Sequence, residues 1–384
     1  MNSIFLLNQL KKTVRLCLAL VENHPINQLE READLPKKNT NATTQNLYSQ
    51  DTIPMSPIIR WGILGCGGIA DKFVKSLRDI SDSTLVAVAS RTPGKAHASA
   101  RQWNVPHAFT SYEELLSRTD IDAVYVATTH NFHYESVLAA LQHDKAVLCE
   151  KPFTVNAHQA QILVNLARSK KLFMMEAMWT RFLSAKAQVR SWLAEGAIGT
   201  IRQVRADFGF STQFNAESRL FNAALAGGAL LDVGIYPISF ASMVMQGQPQ
   251  TIAATALIGK TGVDEHSAYL FGYPGGSIAL LSSAIVATLN NNAQIIGTEG
   301  RIELPVNFYA AESATLIRGK KRITKKFPCK PNSSFRYEIQ EVVSCLQQGK
   351  TESELLPLSE TLAIMQTMDT IREKLQVRYA GDTQ

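Results

Sequence analysis

Lys151 stands at the end of a short apolar run, Ala146 to Cys149, between Glu150 and Pro152. A run of that length and composition reads as a buried strand. A lysine at the carboxyl edge of a buried sheet can exchange a proton with a bound hydroxyl or carbonyl, and burial lowers its pKa toward useful acid–base work. Pro152 fixes the exit of the chain and restricts Lys151 to extended geometry. A second group lies in Gly227-Gly228-Ala229-Leu230-Leu231-Asp232-Val233-Gly234-Ile235-Tyr236. On a helical turn the i, i+4 spacing puts Asp232 and Tyr236 on one face. A carboxylate there can orient Lys151, and a phenol can hydrogen-bond the reacting oxygen. Taken singly, these residues have plainer readings: a solvated strand-end lysine, a capping aspartate and a core tyrosine.

The redox partner for such chemistry is suggested further upstream. Ile58 to Leu64 is an apolar run that ends in Gly65-Cys66-Gly67-Gly68-Ile69-Ala70, and Ile69, Phe73 and Leu77 then recur four apart. This is strand, Gly-x-Gly-x-x-Ala turn, helix. Gly65 permits the tight turn, Gly67 lets a pyrophosphate approach the backbone, and Ala70 lets the helix sit close to the strand. The helix N-terminus offers free N–H groups to phosphate. A glycine-rich turn alone is weak, but strand and helix flank this one, which favours a dinucleotide site over a structural turn. Bound there, the positive charge of a nicotinamide would further depress the Lys151 ammonium.

The elements that must position these groups follow in order. A second strand, Thr84 to Ser90, ends at Arg91. About 20 residues past the turn an NAD site would carry an acid for the ribose hydroxyls. No acid lies between Leu85 and Lys95; Ser90, Arg91, Thr92 and Lys95 occupy that stretch and suit a 2′-phosphate, with Arg91 able to stack on adenine. The position favours NADP over a merely solvated arginine. A helix is expected from Gly94 to Trp103. Thr110-Ser111-Tyr112-Glu113 has the form of a capping box opening a short helix to Leu116. Asp122 to Thr129 reads as a strand ending in Thr128, Thr129, His130 and Asn131, where a doubly wound sheet binds ligand. His133 opens the next helix; the backbone at Thr128 ranks above both histidines as a cofactor contact. A helix from Asn156 to Lys170 and a strand from Leu172 to Met175 follow. This alternation indicates a parallel sheet.

After Glu176 the pattern changes. Ser184 is expected to cap a helix that stops at Gly196. Residues 201–210 alternate, with Val204, Ala206, Phe208 and Phe210 on one face. Further strands are expected at Ile252–Ile258, Ala268–Tyr273, Ser277–Ile285, Ala293–Gly297, Arg301–Leu304 and Ala314–Arg318. Helices near Phe335–Gln347 and Leu358–Gln376 close the chain. The fold class is therefore α/β: an N-terminal Rossmann domain at 57–176, then an α+β domain at 177–384 with a largely antiparallel open sheet.

The chain has 384 residues, is 45% hydrophobic and 19% charged, and carries a net charge of +6. That suits a soluble two-domain protein with full cores. No Lys/Arg run is interleaved with aromatics, so the charge suits an anionic cofactor and excludes a nucleic-acid face. Cys17, Cys66, Cys149, Cys329 and Cys345 are scattered and lack metal-ligand spacing, which favours a reducing, cytoplasmic setting and no metal site. Ile4 to Val21 is too short and too charged to span a membrane. Residues 1–56 read as a poorly ordered extension; an organellar presequence, or translation starting at Met55, are the other readings.

The glycine turn, Val147-Leu148-Cys149-Glu150-Lys151-Pro152 and Gly228 to Tyr236 together resemble the glucose–fructose oxidoreductase/inositol dehydrogenase/MocA (Gfo/Idh/MocA) family. Met175-Glu176-Ala177-Met178-Trp179-Thr180-Arg181-Phe182, and Glu352-Ser353 with Pro357-Leu358, are similar to its branch of trans-1,2-dihydrodiol and NADP-dependent D-xylose dehydrogenases. The resemblance runs from about Ile58 to Arg372. It implies a nicotinamide-dependent oxidoreductase with NADP bound by Gly65–Ala70, Ser90, Arg91, Thr128, Thr129, His130, His133, Glu150 and Lys151. Lys151 maps onto the family's catalytic lysine and Asp232 onto the aspartate of its Asp-x-Gly-x-(His/Tyr) motif, with Tyr236 last as in this branch. Trp179, Arg181 and Phe182 match a segment able to stack on and clamp a polyhydroxylated ring, or equally to pack between domains. Arg219 and Asn222 are further candidates. The branch also implies a homodimer or larger homo-oligomer. A reductase of keto-sugars or dicarbonyls, and a non-catalytic NADP-sensing regulator, are the rival functions; a sensor needs none of Lys151, Asp232 and Tyr236.

Overall fold

A computed structural model describes residues 57–329 and 334–382. The extension, and with it the reading of Met55 as a start, lies outside them. Ile59–Leu64 (β1) is buried through its length after Arg60. Gly68–Leu77 (α1) lays Ala70, Phe73, Val74 and Leu77 on the sheet. Ser83–Ala89 (β2), Lys95–Trp103 (α2), His107–Phe109 (β3), Tyr112–Leu116 (α3) and Ala123–Val126 (β4) follow. Then come His133–Gln142 (α4), Ala146–Glu150 (β5), Ala157–Lys170 (α5) and Met174–Ala177 (β6). The strands pair in the order β3-β2-β1-β4-β5-β6, all parallel. The order reverses between β1 and β4, so a crevice opens beyond their carboxyl ends.

Several local expectations shift, each for a physical reason. The strand expected at Asp122–Thr129 starts at Ala123, because the Asp122 carboxylate grips Arg60 at 2.7 and 2.9 Å. The strand expected at Leu172 begins at Met174, because Lys171 is a left-handed cap and Leu172 N–H still bonds back to Ala167 O at 2.9 Å. The capping box does not form: Ser111 occupies the cap position of α3 with no side-chain cap bond. Asn156 does cap α5, accepting from Gln159 N–H at 2.9 Å.

Ser184–Ala194 (α6) starts on Ser184 itself, with Leu183 at the cap, so the expected serine cap is absent. The second sheet contains Ile201–Gly209 (β7), Thr251–Ile258 (β8), Asp264–Gly272 (β9), Ile278–Ala284 (β10), Ala293–Gly297 (β11), Arg301–Leu304 (β12), Ser313–Arg318 (β13) and Lys321–Lys326 (β14). Its order is β14-β13-β12-β11-β7-β10-β9-β8, antiparallel except for the β7–β10 pair. β14 was hidden from sequence by its four cations in six residues; a charged edge strand also resists unwanted pairing. Ile235–Met245 (α7) covers one face, on which Val204, Tyr269, Phe271, Ala279 and Leu281 are buried. The other face stays open, with Leu270, Ile278 and Leu280 at 44%, 37% and 37% exposure. Arg336–Gln347 (α8) and Leu358–Leu375 (α9) complete the fold, α9 packing on both α5 and β8. Among the described residues, one helical stretch, Ala223–Met245, is long and apolar enough to cross a membrane, and 89% of its apolar window is buried inside the protein.

Candidate active site

Beyond β1 and β4 lies a cleft of about 760 Å³. Gly65 forms one wall at φ +95°, and a Cβ there would stand 2.6 Å from the Ala127 carbonyl of the neighbouring strand. Glycine is therefore required both by conformation and by close approach. Gly67 and Gly68 have open space where their side chains would be, while Ala70 is fully buried under α1. Cys66 and Ile69 complete the turn, the Cys66 thiol resting on Ala89 O at 3.7 Å. A backbone cradle without side chains, aimed at a helix N-terminus, fits a pyrophosphate.

One end of the cleft is cationic. Arg91 lies 4.1 Å from the Phe132 ring and 5.1 Å from that of Tyr112, and pairs with Glu135 at 2.9 Å. Lys72, Thr92 and Lys95 line the same cleft. Ser90 is buried, its hydroxyl accepting from Thr92 N–H at 3.3 Å. At the other end Thr128 presents a buried hydroxyl without a partner, and Thr129 donates to Asn131 at 2.8 Å. His130 and His133 are buried; desolvation pulls them to about 3 and about 4, so both are neutral. A neutral imidazole donates from one nitrogen only. For His133 the shorter contact, Nδ1 to Pro152 O at 2.8 Å, takes the proton in preference to Nε2 and Thr128 O at 3.2 Å. His133 thus steadies the Lys151–Pro152 turn, whose peptide bond is cis.

Lys151 meets Asp232 here. Its Nζ donates to Asp232 O at 2.7 Å and to Oδ1 at 3.4 Å, and lies 5.0 Å from the Tyr236 ring centre. Leu230–Gly234 is a π turn carrying Asp232, and α7, which carries Tyr236, begins after it. Such turns are frequent at functional sites. Arg219 donates to Asp232 Oδ1 at 2.8 Å, and His130 Nε2 lies 3.9 Å away. Burial would raise the Asp232 pKa, but the Lys151 and Arg219 cations hold it below the usual carboxylate range. Glu150 is raised by burial and accepts from the Tyr125 hydroxyl. The expected depression of Lys151 is not a property of the protein alone: burial lowers its pKa, yet Tyr236, Asp232 and Glu150 outweigh that and leave it above its ordinary value.

The Trp-Thr-Arg-Phe segment divides. Trp179 donates to the Tyr236 hydroxyl at 3.3 Å. Arg181 does not reach the cleft: it is 4% exposed, forks onto Glu360 at 2.9 and 2.8 Å, and faces a separate cavity of about 410 Å³. Phe182 is buried in the core. Asn222 caps its own turn through Ala224 N–H at 2.9 Å.

Two matching regions decide the family. Residues 59–178 match "Oxidoreductase family, NAD-binding Rossmann fold", and 187–303 match "GFO/IDH/MocA C-terminal domain". The chain belongs to the Gfo/Idh/MocA family. Among its family relatives, the trans-1,2-dihydrobenzene-1,2-diol dehydrogenase of Xenopus tropicalis is 37% identical over 329 residues, covering 83% of this chain and 99% of the relative. That of Homo sapiens is 36% identical over 336 residues, covering 84% and 99%. A 3-ketoreductase from Actinomadura kijaniata, solved with NADP and TDP-benzene, is 27% identical with a TM-score of 0.75, covering 83% of this chain and 98% of its own. An aldose–aldose oxidoreductase from Caulobacter crescentus, solved with glycerol, shares the fold at a TM-score of 0.76 and 22% identity, over 83% of this chain and 97% of its own.

Sequence reasoning on this Gfo/Idh/MocA chain missed an aromatic wall. Phe208 stacks on Tyr309 at 4.0 Å, and both rings approach Tyr236, at 5.2 and 5.9 Å. The alternation of β7 shows Phe208 but no role for it, and Tyr309 comes from the 3-10 turn Phe308–Ala310, 73 residues after Tyr236, that only the fold brings near. Among the described residues, no group of three or more His, Cys, Asp or Glu side chains is placed to hold a metal ion.

Proposed function

We propose that the protein is an NADP-dependent oxidoreductase acting on a CH–OH group of a cyclic trans-diol or a sugar ring. The carrying observation is the Lys151 amine, held on Asp232 and against Tyr236 at the inner end of the cofactor cleft. The cleft fits the cofactor: its glycine cradle is open, its far end carries Arg91, Lys72 and Lys95, and the unpartnered Thr128 hydroxyl faces it. Gly65–Ala70 would hold the pyrophosphate, and Ser90 and Arg91 the 2′-phosphate. Bound NADP supplies the hydride-accepting nicotinamide; that redox chemistry is the cofactor's own.

The chain's residues handle the proton and the ring. Lys151 takes the hydroxyl proton during oxidation and returns it to the carbonyl oxygen during reduction. Asp232, kept ionised by Lys151 and Arg219, fixes the amine through its carbonyl and carboxylate, while Arg219 holds the carboxylate in place. Tyr236 assists at the reacting oxygen, its phenol set by Trp179. Phe208 and Tyr309 offer a flat apolar surface beside it, which suits the planar ring of a dihydrodiol. Residues 57–176 form the cofactor half, and 177–384 the substrate and assembly half, of a cytoplasmic homodimer.

The similarity to a 3-ketoreductase favours a second reading, the same chemistry run toward reduction of a keto-sugar or dicarbonyl. Purified protein is assayed in both directions with NADP and NAD against trans-dihydrodiols, aldoses, inositols and dicarbonyls, by nicotinamide absorbance. Turnover of a ring diol or sugar with preference for NADP is expected. Tight NADP binding without turnover of any of them contradicts the proposal and revives the sensor.

A further inference from the structure

Two stretches far apart in sequence carry the lysine and the aspartate of the site. Asp232 enters its π turn through Gly227 and Gly228, the latter at φ +111°. A Cβ on Gly228 would strike Asp264 Oδ1 and stand 3.0 Å from the Tyr379 hydroxyl. That hydroxyl donates to Gly227 O, and Tyr379 is 6% exposed. The turn is thus gripped from outside by the segment that follows α9.

The same segment reaches the other stretch. Asp382 accepts from Arg372 at 2.6 and 3.0 Å, from Tyr379 N–H at 2.8 Å and from Asn156 Nδ2 at 3.2 Å. Asn156 Nδ2 also donates to Gly381 O at 3.1 Å. Asn156 stands five residues after Lys151 and caps α5. Arg372 further pairs with Asp369, whose other oxygen accepts from Ala157 N–H at 2.7 Å. A second route, independent of the direct Lys151–Asp232 bond, therefore links the exit of the lysine turn to the start of the aspartate turn.

We propose that Tyr379–Asp382 is a positioning clip that sets the Lys151–Asp232 separation, with Tyr379 and Asp382 as positioning residues. The inference rests on Lys151 being the proton-exchanging group. A clip that only adds stability leaves the chemistry of a folded variant unchanged. One that sets geometry changes kcat and its pH limb, because the titratable groups facing Lys151 are Asp232 of this turn, Glu150, Tyr236, Arg219 and a neutral His130, and Asp232 is the carboxylate the clip places.

Tyr379→Phe and Asp382→Asn are compared with wild type and Lys151→Met. Misplacement of about 1 Å can cost up to about 10²-fold, so each clip variant is expected to lower kcat by roughly tenfold. The NADP dissociation constant should not change, and the limb on which kcat for oxidation rises with pH should move to lower pH as Asp232 retreats from Lys151. Hydrogen exchange of peptides covering 227–236 should quicken. Unchanged kcat, pH limb and exchange in whichever variant folds overturn the clip. Full activity in Lys151→Met overturns the reading of Lys151 instead, so the two failures are distinguishable.

Discussion

Lys151 is cationic in the cofactor-free protein because three groups, Tyr236, Asp232 and Glu150, outweigh its burial. As a proton acceptor it must be neutral, so the oxidation rate should rise with pH through its pKa in the complex, where a cationic nicotinamide opposes those groups. Asp232→Asn removes a carboxylate that favours the ammonium and should move that limb to lower pH while reducing kcat. A kcat–pH profile with an unmoved limb would show that Asp232 does not tune the lysine. At the other end of the cleft, Arg91 has donors beyond those used on Glu135 and a ring on which to stack. Arg91→Ala should weaken NADP by about 1.5–3 kcal/mol and leave NAD nearly unchanged; equal losses for both, read by titration calorimetry, would remove Arg91 from the 2′-phosphate. The glycine turn was legible in sequence because strand and helix flank it at a fixed spacing, whereas Lys151 and Asp232, whose plainer readings are a strand-end lysine and a capping aspartate, stand out only through the family resemblance. Arg181, readable equally as a substrate clamp or as packing between domains, sits on Glu360, a partner 179 residues later that sequence does not show.

The π turn at Leu230–Gly234 depends on its supports more than on propensity. Asp264 is fully buried, accepts from Leu230 N–H at 2.8 Å and from Ser267 at 2.6 Å, and has one oxygen unbonded. Burial pushes its pKa up to about 7, against about 3.9 in an unfolded chain. Between those values the folded protein holds a proton that the unfolded chain has lost, so stability falls as pH rises, by at most about 1.4 kcal/mol per pH unit, and flattens above 7. Asp264→Asn keeps the amide oxygen for Leu230 and removes this dependence. The melting temperature of the variant, relative to wild type, should climb from pH 4.5 to 7; a constant difference would place the carboxyl outside this linkage. The Rossmann half was readable almost strand by strand because apolar runs alternate with helices. The strand ends, β3 and β14 were not, because side-chain grips such as Asp122 on Arg60 and edge charges override the pattern.

At the scale of the molecule, one sheet holds the cofactor cleft, the other the aromatic wall, and α9 packs on both. The second sheet's open face, with Leu270, Ile278 and Leu280 exposed, is a surface of the kind that pairs with another copy. Leu280→Lys should convert a dimer into a 42.3 kDa monomer by light scattering; a wild-type chain already monomeric at micromolar concentration would contradict the assembly. That two halves existed, with an open sheet in the second, was legible from the switch in periodicity after Glu176. The contact between the halves was not, since Tyr309 and the carboxyl-terminal segment reach the site only through tertiary packing.

The most direct measurement is the single-turnover rate of nicotinamide reduction in Lys151→Met beside wild type and Tyr236→Phe, at saturating NADP and ring substrate. Positioned acid–base catalysis is worth about 10²–10⁴-fold. The account predicts a loss of that order for Lys151→Met with NADP affinity retained, and a smaller loss for Tyr236→Phe. An unslowed step in Lys151→Met, or abolition in Tyr236→Phe alone, would contradict it and pass the proton to the tyrosine or to a group elsewhere.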